Sequence, residues 1–332
     1  GMLYRERGKD GAWRGGPMMY LKKGLHSPFL AGAFALFCVL ASFGIGNMSQ
    51  CNSIAGGLRG VFGVPPKVTG LVTAVLLGAV LLGGLGRISR VTETLVPFMA
   101  LFYMGGALFV LWCFRANLPQ ACGQILSAAF DWRAGVGGAA GYGMMQAIRI
   151  GVSRGVFSNE AGLGTAPMAH AAATSASPLV QASIGMLDTF IDTIIVCTMT
   201  GFAILVTGQW TSGLTGAAMT SAAFETSLPG IGGIAVTICL TFFAFTTALG
   251  WCVYGERCAI YFFGDKAQIP FRIVYCIAIP VGVLTQLDVV WLLADTCNAL
   301  MAIPNLIAIL LLSPVLFKLV KEDESKDSIF KH

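Results

Sequence analysis

Apolar runs long enough to cross a bilayer recur along the whole chain. They lie at approximately 27–57, 67–87, 91–113, 139–173, 178–208, 231–263, 270–286 and 289–317. A helix rises about 1.5 Å per residue, so about 20 apolar residues span a hydrocarbon layer of about 30 Å. In that layer every backbone amide must be satisfied within the protein, which helices achieve. The expected fold class is therefore an all-α polytopic membrane protein with about eight membrane segments. Charge agrees: only 11% of residues are charged, against about 25% in soluble domains. The first run starts near Ser27 behind a basic stretch with no small-residue cleavage site. It reads as a span and not as a removable signal peptide.

The net charge of +5 would raise nucleic acid as a partner in a soluble protein. Here the basic residues sit at the ends of apolar runs, where they set orientation, so no nucleic-acid partner is expected. Lys and Arg favour cytoplasmic loops. If the N-terminal stretch is inside, that side carries fifteen of them, from Arg5, Arg14 and Lys23 through Arg87, Arg257, Lys266 and Arg272 to Lys318 and Lys331. The opposite side carries four: Arg59, Lys67, Arg115 and Arg133. The bias predicts a multi-pass protein of the plasma membrane, the bacterial cytoplasmic membrane being the natural case, with both ends of this chain cytoplasmic. Ten cysteines are scattered singly and three histidines lie far apart. That pattern supplies no transition-metal site.

Polar residues inside apolar runs are the places where chemistry can occur. The stretch from Gly151 to Pro167 is rich in glycine and polar residues. Ser158 and Asn159 suit helix N-caps, and Glu160 suits a first turn. The expectation is a helix to about Ile150, an unwound stretch, and a second helix from about Ser158. Bare amides at such a break suit a carboxylate and bare carbonyls suit a monovalent cation, the device of secondary transporters. A Gly/Pro kink filled by neighbouring helices is the structural alternative.

Other polar positions carry two readings each. Asn47 and Gln50 lie three apart on one helix face and serve either a site or interhelical hydrogen bonding. Asp188 and Asp192 are ionisable groups at membrane depth, functional candidates by default; alternatively they pair with Arg149 or Arg154. Thr246 and Thr247, before Trp251, offer the hydroxyl oxygens that sodium prefers, or bond back to their own helix. Asp295, Asn298 and Asn305 give the last segment a polar stripe. One pattern misleads. Gly151-Val-Ser-Arg-Gly155 fits the nucleophile elbow of serine hydrolases, but that elbow needs a preceding strand, and none is expected. The chain should not be an enzyme and needs no cofactor.

Several of these stretches resemble the alanine/glycine:cation symporters, the sodium:alanine symporter family. They are Arg14-Gly-Gly-Pro-Met18, Phe43-Gly-Ile-Gly-Asn-Met48, Arg154-Gly-Val-Phe-Ser-Asn-Glu-Ala-Gly162, Phe190-Ile-Asp-Thr193, Phe245-Thr-Thr-Ala-Leu-Gly-Trp251 and Tyr254-Gly-Glu256. The likeness runs to about Pro314. It implies a leucine-transporter-type fold of two inverted five-helix repeats. This chain would start before the third core helix, so it is expected to be N-terminally incomplete, without the broken first core helix. The division implied is a cytoplasmic loop over 1–26, the rest of the first repeat over 27–113, an extracytoplasmic loop over 114–138, the second repeat over 139–317 and a cytoplasmic tail over 318–332.

The resemblance further implies symport of a small neutral amino acid, alanine or glycine, with sodium as coupling ion and a proton as the alternative. Phe157, Ser158, Asn159, Gly162 and Thr165 on the broken helix, with Gln50 and Trp251 flanking, are the substrate candidates. Thr246 and Thr247 are the sodium candidates. Asn47, Glu160, Asp188 and Asp192 would give polar support. The alternative readings are a truncated, non-transporting membrane protein of the same fold and an intramembrane hydrolase acting through Ser153.

Overall fold

The computed structural model describes residues 1–8, 11–129, 138–174, 177–285 and 287–329. It is all-helical apart from one two-residue antiparallel pairing of β1 (Glu6–Arg7) with β2 (Trp13–Arg14), where Glu6 faces Arg14 and Arg7 faces Trp13. The helices are α1 (Pro17–Lys23), α2 (Pro28–Phe62), α3 (Pro66–Leu81), α4 (Leu85–Cys113), α5 (Leu118–Ala129), α6 (Gly138–Asn159), α7 (Ala166–Ala171), α8 (Pro178–Val206), α9 (Ala217–Ser227), α10 (Gly232–Phe263), α11 (Gln268–Leu284) and α12 (Leu287–Ile329). The expected loop over 1–26 therefore contains a small hairpin and α1, and the expected polar tail continues α12 as helix. The start and stop chemistry is legible. Proline occupies the first helical position of α1, α2, α3 and α8, where its missing N–H costs nothing. The Ser27 hydroxyl accepts from the Leu30 amide at 3.4 Å to cap α2.

Among the described residues six helical stretches are long and apolar enough to cross a membrane: Pro28–Phe62, Leu85–Cys113, Pro178–Val206, Gly232–Phe263, Asp265–Leu284 and Val290–Glu322. The segment expected over 67–87 is α3, a shorter apolar helix of 16 residues. The segment expected over 139–173 is α6 and α7 with a break between them. The loop expected over 114–138 contains α5, and its Trp132 and Arg133 lie outside the described residues.

Helix α10 is the hub and packs on α2, α4, α9 and α11. Its contact with α2 is close because Gly46 faces Trp251. A Cβ added at Gly46 would stand 2.0 Å from the Trp251 Cβ, so no larger residue fits. Two helices are locally underwound. Ser42–Ser49 in α2 and Phe190–Cys197 in α8 are π-helical, and each contains one of the motif stretches, Phe43–Met48 and Phe190–Thr193. Such segments favour functional sites because one extra residue per turn re-aims side chains.

The N-terminal hairpin is held against the ends of neighbouring helices. Arg14 pairs with Asp265 between α10 and α11. Arg5 donates to the carbonyls of Ala171 and Ala173 at 3.1 and 2.8 Å. Near the other end of the spans, the Asn117 amide donates to the Val206 carbonyl at 2.9 Å.

Candidate functional site

The main chain breaks between Glu160 and Thr165, not over 151–157. Helix α6 runs unbroken through Gly151, Ser153 and Gly155 to Asn159. One glycine inside a helix costs only about 1 kcal/mol, which neighbouring turns offset. The same continuity disposes of the hydrolase elbow, since Ser153 stands mid-helix with no strand before it. The actual break needs three positive φ angles, at Glu160 (54°), Gly162 (81°) and Gly164 (93°). Glycine adopts these freely; Glu160 does not, and strain of this kind collects at functional sites. Gly164 has a second reason to be glycine: a Cβ there would meet the Pro17 ring at 2.5 Å and the Phe34 ring at 2.8 Å.

Ser158 and Asn159 therefore close α6 instead of opening a second helix. The Asn159 side-chain oxygen accepts from the Ala161 amide at 2.8 Å. The Ser158 hydroxyl donates to the Asp192 carboxylate at 2.6 Å. The Leu163 amide bonds to the Glu160 carbonyl at 3.1 Å. The amides of Gly162 and Gly164 have no partner among the described residues. Backbone donors away from water are almost always paired, so these two amides, one on half-buried Gly162 and one on buried Gly164, are candidate donors to a ligand.

The break and the helix before it are tethered to α12. Within it, the Asn305 amide donates to the Gly162 carbonyl at 2.8 Å, and Asn305 in turn accepts from the Tyr20 hydroxyl. Before it, Arg154 forms an ion pair with Asp295 and lies 4.4 Å over the Trp291 ring. Phe157 packs on Trp291 at 5.0 Å between centroids. This corrects one expectation: the partner of Arg154 is Asp295, and neither Asp188 nor Asp192. Sequence reading missed Trp291 as a platform and Tyr20 as an anchor. The Asp295/Asn298/Asn305 stripe was the available signal.

Three carboxylates gather at the break. Glu160 lies within electrostatic reach of Asp188 and Asp192 on α8, and its carboxylate approaches the Thr165 hydroxyl and the Trp251 indole. The Thr165 hydroxyl is fully buried and lacks the geometry of a hydrogen bond. Asp192 also accepts from Thr193 at 3.2 Å. Among the described residues none of the three carboxylates forms an ion pair. Acidic groups without a basic partner in a membrane protein are functional candidates.

Of the remaining candidates, Asn47, Gln50 and Thr246 bond elsewhere, while Trp251 meets the cluster through Glu160. Asn47 is buried in the π segment of α2 and donates to the Tyr275 carbonyl at 2.5 Å, the interhelical role. Gln50 turns its amide to the Ile45 carbonyl at 3.2 Å. Thr246 bonds back to the carbonyls of Phe242 and Phe243, both at 3.0 Å, which leaves only lone pairs for an ion. Thr247 is half-buried. Trp251 is buried, with Tyr254 edge-on at 5.7 Å.

Comparison with known proteins decides the family. The model of the sodium:alanine symporter family matches residues 1–329. The chain belongs to the sodium:alanine symporter family. This family membership makes it a membrane transporter of the cation-coupled amino-acid symport class and not an enzyme. Among family members, the sodium/alanine symporter AgcS of Methanococcus maripaludis is 44% identical over 98% of this chain and 74% of its own length. An uncharacterized transporter of Haemophilus influenzae is 44% identical over 96% of this chain and 71% of its own. A probable sodium/glutamine symporter, GlnT of Bacillus subtilis, is 35% identical over 99% and 69%.

Proposed function

We propose that this chain carries part of a sodium-coupled symport site for a small neutral amino acid, alanine or glycine. The observation that carries the reading is the pairing of opposites at the break. Two unbonded amides, at Gly162 and Gly164, stand beside three carboxylates without basic partners. A zwitterion and a cation together complement both: the substrate carboxylate takes the amides, and sodium offsets the acidic groups. Phe157 and Trp251 would be the apolar walls. The sodium/alanine name of the M. maripaludis relative supports alanine; the sodium/glutamine name of the B. subtilis relative marks the substrate as the variable part.

Sodium would sit near Asp192 and Ser158, where the Ser158 and Thr193 hydroxyls both meet Oδ2 of the Asp192 carboxylate, with Thr246 and Thr247 as the other candidates. In the bilayer the face carrying Arg14, Lys22, Lys23 and Lys266 is cytoplasmic, which places both ends of this chain inside. The leucine-transporter-type inverted repeat and the eight-segment count belong to the same proposal, with α3 and the α6–α7 pair as the two segments beyond the six long spans. The test is uptake of radiolabelled alanine and glycine into proteoliposomes with a sodium or a choline gradient, each at two external pH values. Uptake should follow sodium. Uptake that is equal in choline but follows pH would replace sodium by a proton.

A further inference from the structure

We propose that the trough between α2 and the α10–α11 corner binds one acyl chain of an anionic glycerophospholipid, whose headgroup phosphate is held by Lys266. The trough encloses about 1090 Å³. Small residues make its floor: Gly32 and Ala33 of α2, Ala259 of α10, and Ala267. Phe29, Leu36, Phe262, Phe263 and Val274 make its walls. It opens where three helix ends meet, the start of α2 at Pro28, the end of α10 at Phe263 and the start of α11 at Gln268. It extends along α2 to Phe43, roughly 22 Å at the helical rise. One leaflet of hydrocarbon is about 15 Å deep and its headgroup layer adds about 5–7 Å, so a trough of this length matches one headgroup and one acyl chain. That length and its apolar lining suit a lipid tail.

Charge selects the headgroup. Lys266 is the one charged residue in the lining and is exposed at the mouth. Its neighbour Asp265 is already paired with Arg14, and among the described residues Lys266 has no ion pair. A second ammonium, that of Lys22, lies 5.8 Å over Tyr261, next to the wall residue Phe262. The acidic side chain that could balance this corner, Glu6, is engaged by Lys23. A phosphate with net negative charge supplies what the mouth lacks. A zwitterionic headgroup brings its own cation and gains less. The inference rests on the span of the membrane and not on the transported substrate.

Native mass spectrometry of the detergent-purified protein tests it, with phosphatidylglycerol and phosphatidylcholine of identical acyl chains added at a series of concentrations. One phosphatidylglycerol should be retained per chain, with at least about fivefold preference over phosphatidylcholine. Lys266→Gln, an exposed change that leaves folding intact, should bring the two lipids close to equal. Ala33→Phe fills the trough and should abolish retention of both at an unchanged melting temperature. Equal retention of the two lipids by the unaltered protein would overturn the proposal. So would an undiminished preference in Lys266→Gln.

Discussion

Arg154 and Asp295 join the last turns of α6 to α12 through an ion pair whose guanidinium also covers the rings of Phe157 and Trp291, at 5.6 and 4.4 Å. Both side chains are about two-fifths exposed (40% and 39%). Where water reaches it, a pair this exposed is worth at most about 1 kcal/mol to stability. Its position, within two turns of the break, argues for a role in the transport cycle.

Asp295→Ala should lower transport severalfold while shifting the melting temperature little. The exchange Arg154→Asp with Asp295→Arg should recover part of the rate by restoring the pair, although not the stacking. Uptake rates and melting curves of the three variants check this. A large loss of melting temperature in Asp295→Ala with normal uptake in the folded fraction would assign the pair to stability alone.

Glu256 and Arg272 show the opposite balance. Their side chains are 5% and 4% exposed, the Nε–Oε2 distance is 2.5 Å, and Arg272 also donates to the Leu81 carbonyl at 2.7 Å. Gln268 bonds the same carboxylate at 2.9 Å. The group fastens α3, α10 and α11 at one membrane face. Removal of one partner leaves a buried charge, so Glu256→Ala should cost about 3–5 kcal/mol. Denaturant unfolding in detergent measures it, and a cost under about 1 kcal/mol would show that water reaches Arg272.

Gly46 and Trp251 bring α2 and α10 into contact. Gly46→Ala inserts a methyl group where the Trp251 Cβ already stands. The helices must separate, at about 1–3 kcal/mol or more. Because Trp251 borders the break through Glu160, alanine uptake should fall with stability, and the tryptophan emission should shift. Unchanged emission would mean that α2 yields elsewhere.

Glu225, at the end of α9 outside the spanning helices, accepts from the amides of Gly230 and Gly233 at the start of α10, the latter at 2.7 Å. These two donors hold its carboxyl below the usual carboxylate value. The folded pKa is depressed, so the stabilisation is present above the unfolded carboxylate pKa of about 4.3 and is lost as pH falls through the folded value. Melting temperatures of the unaltered protein and Glu225→Gln, compared from pH 7 downward, should differ at neutral pH and converge in acid. A constant difference at every pH would remove the carboxylate from the account.

Much of the fold was legible because lipid imposes a single rule. Long apolar runs become helices, and Ser27-Pro28, Pro66 and Pro178 mark where helices start. The break was foreseen within the correct motif but placed too early. Gly151, Gly155 and Ser158 carry the residue types of a break, yet a helix tolerates single glycines, and the Ser158 hydroxyl had a stronger partner in Asp192. The alternation of Gly162 and Gly164 ahead of Pro167 was the better signal, because only positive φ angles require it. The pairing of Arg154 with Asp295 was not legible: 141 residues separate the two, and several carboxylates competed for one guanidinium. Nor do sequence patterns announce π-helical turns, which arise where packing against neighbours outweighs the regular ladder.

The central claim is that the open main chain at Glu160–Thr165 and the unpaired carboxylates beside it bind amino acid and cation as one unit. Equilibrium binding of radiolabelled alanine across a sodium series, for the unaltered protein and Asp192→Asn, tests it most directly. Affinity should rise with sodium in the unaltered protein and stay flat, at its sodium-free level, in Asp192→Asn. Alanine binding that ignores sodium in the unaltered protein, or that keeps its full sodium response without the Asp192 charge, would contradict it.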